Sequence, residues 1–129
     1  MYIIRYADDF KLFCRKRSDA EKIFIAVKQW LHERLRLEVS EEKSKIINLK
    51  RHYSEFLGFE IKAVKKRKSY VVKSHMTAKA IQREKDKLIE QVKKIAHVQD
   101  RDDEAREITL YNSMVFGIHN YYCFATMIT

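Results

Sequence analysis

Hydrophobic and polar positions alternate at the start of the chain and then change period. Tyr2-Ile3-Ile4 on one side and Phe10, Leu12 and Phe13 on the other flank Arg5-Tyr6-Ala7-Asp8-Asp9. This predicts two short strands with a polar turn, Ala7-Asp8-Asp9, between them. Ser18-Asp19-Ala20-Glu21 has the form of a capping box and predicts a helix start. Ala20, Ile23, Phe24, Val27, Trp30 and Leu31 then recur at the spacing of one helical face, with Lys22, Lys28, Gln29, Glu33 and Arg34 on the other. Such a helix should cover one face of a sheet. Leu35, Leu37 and Val39 fit extended chain or the helix's last turn, Ser40 to Ser44 fits a turn, and Ile46, Ile47 and Leu49 predict another strand.

Phe56-Leu57-Gly58-Phe59-Glu60-Ile61 predicts a strand with a glycine in its interior, the mark of a bulge or a close backbone approach. Tyr70, Val71 and Val72 predict its hairpin partner, joined through Lys65-Lys66-Arg67-Lys68. The pattern changes after Lys73, so a boundary at about Ser74 divides residues 1–73 from 74–129. Thr77 predicts the cap of a long helix in which Ile81, Leu88, Val92 and Ile95 form an apolar stripe amid Lys79, Arg83, Lys85, Lys87, Lys93 and Lys94. A polar link, Gln99 to Asp103, leads to a last helix capped by Asp102 or Asp103. Its apolar residues, among them Ile108, Leu110, Tyr111, Met114, Val115, Ile118, Tyr121, Tyr122 and Phe124, lie all round it and predict burial. The fold class is α+β: an antiparallel sheet with a covering helix, followed by a helical hairpin.

Composition supports a packed chain, with 46% hydrophobic and 12% aromatic residues among 129. Twenty-seven Lys and Arg against 18 Asp and Glu give a net charge of +9, which favours a polyanionic partner through long-range attraction and counterion release. Cys14 and Cys123 have no metal-type spacing, and a reducing cytoplasm fits them as small core residues. No signal peptide opens the chain, because Arg5 and the Asp pair interrupt the first apolar run. Residues 108–129 lack Lys, Arg, Asp and Glu, yet Thr109, Asn112, Ser113, His119 and Asn120 punctuate them. A buried helix fits better there than a membrane span, and no membrane partner is expected.

Two stretches carry candidate chemistry. Adjacent carboxylates repel, and strand alternation would send them to opposite faces, whereas a hairpin apex lets Asp8 and Asp9 project together onto a cation. Mg²⁺ suits such a pair, since it takes one or two carboxylates plus waters and substrate phosphates. Two-metal phosphoryl-transfer sites use paired carboxylates in this way, with ions roughly 3.5–4 Å apart. Asp is also an ordinary turn residue, and the tetrapeptide alone is compatible with either role. The second stretch runs from Lys62 to Lys73, with six basic residues (Lys62, Lys65, Lys66, Arg67, Lys68 and Lys73), no acid, and Tyr70 among them. It reads as a solvated loop or as a contact to a phosphate backbone.

Taken in order, Tyr6-Ala7-Asp8-Asp9, the capped helix, Glu42-Lys43-Ser44, Phe56-Leu57-Gly58-Phe59 and Gly117-Ile118-His119-Asn120-Tyr121-Tyr122 resemble the group II intron reverse transcriptases, or maturases, over essentially the whole chain. The resemblance implies that the first part is a palm-type sheet, the Leu-Gly segment a primer-contacting hairpin, and the later helices part of a thumb, or maturase (X) region. It implies Asp8 and Asp9 as catalytic, Mg²⁺-binding carboxylates, with Asp8 the more dependable ligand. Tyr6, Ala7, Lys43, Leu57 and Gly58 become positions near the nucleotide or primer. Lys62, Lys65, Lys66, Arg67, Lys68, Lys73, Lys79 and Arg83 become nucleic-acid contacts, the helical ones along the template–primer minor groove. The implied partners are an RNA template, a DNA primer, dNTP and structured intron RNA.

The sequence departs from that family by lacking the fingers, the nucleotide-clamping basic residues and a further metal-binding Asp on an earlier palm strand. It reads as the carboxy-terminal part of a palm plus part of a thumb, inactive by itself, with an open strand edge and an apolar tail that favour a homodimer or strand exchange. Two functions follow: a portion of an RNA-directed DNA polymerase, or a non-catalytic RNA-binding module that assists intron splicing.

Overall fold

The computed structural model describes residues 1–126 and forms two compact units, Met1–Asn48 and a second from Leu49 onward. The pattern change at Ser74 falls inside the second unit, so its sheet and helices belong to one body. The antiparallel sheets and three helices are those of an α+β chain, as expected.

In the first unit, β1 (Tyr2–Tyr6) and β2 (Asp9–Phe13) form a two-stranded antiparallel hairpin, with Tyr2 opposite Phe13 and Tyr6 opposite Asp9. The third residue of the expected turn, Asp9, is therefore already strand, and Ala7-Asp8 alone makes the reversal. Helix α1 spans Arg17–Leu35, with Lys16 rather than Ser18 at its N-cap. The capping box does not form, because the helix has already begun at Arg17 and Ser18 lies inside its first turn. Glu21 is instead engaged by Arg17, Nε to Oε1 2.8 Å, on the exposed face. Arg36 closes the helix in the left-handed conformation, φ 53°, so Leu35 ends it and Leu37 and Val39 lie outside any regular element.

The apolar face of α1 was expected to cover a sheet. Ala20, Ile23, Phe24, Val27 and Leu31 are indeed its shielded positions, but all stay half-buried, and Trp30 is 55% exposed. Two strands provide too narrow a surface to bury a five-turn helix. The strand expected at Ile46 to Leu49 is also absent, and both isoleucines are exposed. The Leu49 carbonyl accepts from the Ala63 N–H of the strand that follows at 2.9 Å, but no regular strand pairing extends through Ile46 and Ile47.

The second unit begins with a three-stranded antiparallel sheet in the order β3 (Ser54–Phe56), β4 (Phe59–Lys66), β5 (Ser69–Met76). Gly58 is not inside a strand. It shares with Leu57 a two-residue turn between Phe56 and Phe59, and both have positive φ, 53° and 83°. That is the signature of a type I′ hairpin, whose twist matches the flanking strands and whose second position glycine fills without steric cost. Lys66 and Ser69 close the second hairpin over Arg67-Lys68.

Helix α2 (Ala78–Ala96) starts at Thr77, whose side-chain oxygen accepts from the Ala80 N–H at 3.0 Å, as the sequence predicts. Its inner stripe is Ala80, Ile81, Glu84, Leu88, Gln91 and Ile95, while Val92 turns outward, 50% exposed. Helix α3 (Arg101–Tyr122) packs against it through Glu107, Tyr111, Met114, Val115, Ile118 and Tyr122. The buried Gln91 amide donates to the Glu107 carbonyl at 3.1 Å and to its carboxylate, so the polar group inside the helical hairpin is satisfied.

The N-cap of α3 is Asp100; Asp102 and Asp103 lie one turn inside, where they favour the positive end of the helix dipole. The expected burial of α3 is not found. Tyr122 is its one buried residue, and Ile108, Leu110 and Phe116 are 42%, 49% and 69% exposed, because one neighbouring helix covers one stripe of a helix that is apolar all round. No described helix is long and apolar enough to cross a membrane.

Candidate catalytic hairpin and nucleic-acid interface

The β1–β2 reversal puts Ala7 at φ 50°, a left-handed conformation at the first central position, where a small side chain costs least. The Arg5 guanidinium braces it, Nε donating to the Ala7 carbonyl at 2.8 Å. Asp8 occupies the apex and Asp9 the first rung of β2; both are exposed, and among the described residues neither is in an ion pair. Two solvated, unclaimed carboxylates suit Mg²⁺, which keeps waters and phosphate oxygens in its shell. No third acid, histidine or cysteine joins them in a metal-holding cluster among the described residues.

Lys43 lies in an exposed turn, Glu41 to Lys43, of the same unit. Its neighbour Glu41 is tied to Lys28, Oε1 to Nζ 2.5 Å, and the hydrogen bond and charge of that lysine lower the Glu41 pKa below the usual carboxylate value.

The Leu57-Gly58 turn is gripped from both helices. Its Gly58 carbonyl accepts from the Thr77 N–H at 2.9 Å, and its Leu57 carbonyl from the Tyr121 hydroxyl at 2.9 Å. A Cβ on Gly58 would meet the Tyr122 hydroxyl at 3.0 Å and the Ala80 methyl at 3.7 Å. Phe59 lies against Tyr121 and Tyr122 with ring centroids 5.7 and 5.2 Å away. A second join lies at the outer edge of β5, where Ser74 and Thr126 bond reciprocally: Ser74 N–H to the Thr126 hydroxyl at 2.8 Å, Thr126 N–H to the Ser74 carbonyl at 3.0 Å.

Lys65, Lys66, Arg67 and Lys68 cluster at the exposed tip of the β4–β5 hairpin, and Lys62 and Lys73 face each other across it. Lys79 is exposed on the first turn of α2. Arg83 is committed to Glu84, Nη2 to Oε1 2.9 Å, which raises its pKa, and it also reaches the Tyr122 hydroxyl at 3.4 Å. Asp8, Asp9 and Lys43 thus lie in the first unit, and the basic β4–β5 cluster, Lys79 and Arg83 in the second.

Sequence periodicity missed Tyr53, His75 and Lys50. Tyr53 meets His75 edge-on at 5.0 Å and carries the Lys62 ammonium 5.1 Å from its ring, while Lys50 lies 4.4 Å above Tyr70. Tyr53 and Lys50 sit in a segment with no period to betray a partner.

Comparison with known proteins bears on the order of these parts. Residues 1–61, which hold the carboxylate hairpin and the Leu-Gly turn, match the reverse transcriptase (RNA-dependent DNA polymerase) family. Two curated relatives, each a group II intron-encoded protein LtrA, from Lactococcus lactis subsp. cremoris and its strain MG1363, are 30% identical over 95% of this chain. The chain is a relative of the group II intron-encoded reverse transcriptases. It spans 24% of the length of those relatives, so the sequence corresponds to a portion of each.

Proposed function

We propose that the chain works as part of an RNA-directed DNA polymerase, supplying catalytic carboxylates and a nucleic-acid grip. In the reaction a primer 3′-hydroxyl attacks the α-phosphate of a deoxynucleotide, and pyrophosphate leaves. The observation that carries this reading is the pair Asp8 and Asp9, exposed and, among the described residues, in no ion pair, at a tight reversal within the segment matched by the polymerase family. Asp8 and Asp9 would hold magnesium, which when bound polarises phosphate oxygens and lowers the pKa of an attacking hydroxyl. Ala7, with only a methyl group, leaves room for primer or nucleotide beside them. The Leu57-Gly58 turn is a rigid support for the primer strand, and the basic tip of β4–β5 with Lys79 holds the phosphate backbone. The test replaces the matching quarter of a full-length group II intron reverse transcriptase with this chain and introduces Asp8→Asn. Primer extension should disappear; extension at the unmutated rate would overturn the reading.

A second reading is an RNA-binding module that helps an intron fold, with both aspartates idle. Its support is the cluster of Lys65, Lys66, Arg67 and Lys68 at the exposed tip of the β4–β5 hairpin. It requires that neutralising Lys65, Lys66, Arg67 and Lys68 remove salt-sensitive binding to structured RNA in a filter assay, while Asp8→Asn leaves binding unchanged.

A further inference from the structure

The outer edge of β5 is bonded at one rung and open at the next two. Arg67-Lys68 is a two-residue turn closed by Lys66 and Ser69, so Ser69, Val71 and Lys73 direct their backbone N–H and C=O groups toward β4. Tyr70, Val72 and Ser74 direct theirs outward. Ser74 fits this phase: its N–H donates to the Thr126 hydroxyl at 2.8 Å and its carbonyl accepts from the Thr126 N–H at 3.0 Å. The edge therefore takes main chain at Ser74. Among the described residues, no backbone hydrogen bond reaches the outward groups of Tyr70 or Val72.

The side chains along this edge are sorted by face. Tyr70 and Val72, 51% and 65% exposed, share the face of Ser74, while Lys73 lies on the other face with Lys62 and Lys66. A cavity of about 380 Å³ is lined by Thr126 together with Lys66, Val71, Val72 and Lys73. A strand added beyond the Ser74 rung would set one row of its side chains beside Tyr70 and Val72 and the other beside Lys73 and Lys66.

Charge and hydrogen bonding choose the occupant. From Lys62 to Ser74 there are six basic residues and no acid. A second copy paired along this edge would bring Lys66, Lys68 and Lys73 of one chain beside those of the other, and lysines on an edge strand bar such self-pairing. Phosphate oxygens could accept from the two N–H groups but have nothing to donate to the two carbonyls. An extended polypeptide offers donors and acceptors alternately at the strand spacing.

We propose that the outer edge of β5 at Tyr70 and Val72 takes an added strand from another polypeptide, an extended segment in which acidic residues alternate with apolar ones. Its acids lie beside Lys73 and Lys66, and its apolar residues beside Val72 and Tyr70. The proposal does not depend on Asp8 and Asp9 or on phosphate contact at the hairpin tip.

The experiment adds a short capped peptide of alternating Glu and Val to the whole chain and reads amide hydrogen exchange by NMR, residue by residue. Exchange at Tyr70 and Val72 should slow several-fold, with Val71, already bonded to β4, unchanged. The same peptide N-methylated at its valines keeps every charge and side chain but lacks the donors, and should protect neither amide. Val72→Pro removes one outward N–H at an edge position that tolerates proline, so binding should be lost while the urea midpoint holds. Lys73→Glu leaves the backbone intact and should weaken binding by charge reversal, which keeps the test open if the proline variant unfolds.

No protection at saturating peptide, or equal protection by the N-methylated peptide, overturns the proposal. So does protection that rises with the chain's own concentration in the absence of peptide, which would assign the edge to a second copy. Equal protection of the two amides by an RNA oligonucleotide would assign it to an anion and overturn the proposal as well. None of these results touches primer extension, so the polymerase reading stands or falls separately on Asp8→Asn.

Discussion

The two-residue turns at Ala7-Asp8 and Leu57-Gly58 reverse the chain with similar backbone means and opposite surroundings. Each has a left-handed residue at its first central position, φ 50° at Ala7 and 53° at Leu57. The first turn is exposed and braced by Arg5. The second is held by Thr77 and Tyr121 through its carbonyls and by Tyr122 at its glycine. On the proposed reading, a carboxylate pair that takes a metal and a substrate has to remain unclaimed by its own protein, and a support for a polymer strand has to be fixed by it.

The strongest way to break that comparison is Asp8→Asn in the chimeric polymerase. Primer extension should fall about 10²–10³-fold, the size expected when a metal-holding carboxylate is neutralised, while the urea midpoint stays put because the residue is exposed. A fallen midpoint would mean that Asp8 supports the fold rather than the chemistry.

Gly58→Ala should cost about 1–3 kcal/mol in urea unfolding, from the strained φ and the approach of the Tyr122 hydroxyl. Tyr122→Phe in the same chain should return part of that loss by opening the space. Additive losses in the double variant would argue against direct contact.

Ala7→Gly tests the other turn with the opposite sign. Relief of a left-handed alanine outweighs the added freedom of glycine by about 0.5–1 kcal/mol, so the variant should unfold at slightly higher urea.

The smallest effect concerns pH. Glu41 has a folded pKa below its unfolded value because Lys28 favours its charged form, so its contribution is present above the ordinary carboxylate pKa and is lost as pH falls through the folded value. Acid titration of stability in Lys28→Met should lack that small step; an identical acid limb in both proteins would show the pair to be inert.

Local signals in the sequence were legible where they act locally. Thr77 caps its helix, the two hairpins lie where apolar runs flank polar turns, and the half-buried positions of α1 are its apolar stripe. Signals that need a partner were not. Ser18 and Glu21 have the composition of a capping box, but the helix has already begun at Arg17. Ile46 and Ile47 have strand character yet lie outside any regular element. Gly58 looks like a flaw inside a strand until Phe56 is paired with Phe59, after which it must be the turn. The adjacency of the two aspartates is visible in the sequence itself, whereas the juxtaposition of Lys62 and Lys73 appears only once the register of β4 on β5 is known.

The joins at Gly58, Phe59 and Ser74 have a mechanical consequence. The Leu-Gly turn is fastened to the residue just before α2 and to the last turn of α3, and the rim of β5 to Thr126. Helices about 28–33 Å long are thus anchored to the sheet at one shared end, so a loss of either anchor would loosen both the turn and the hairpin of helices.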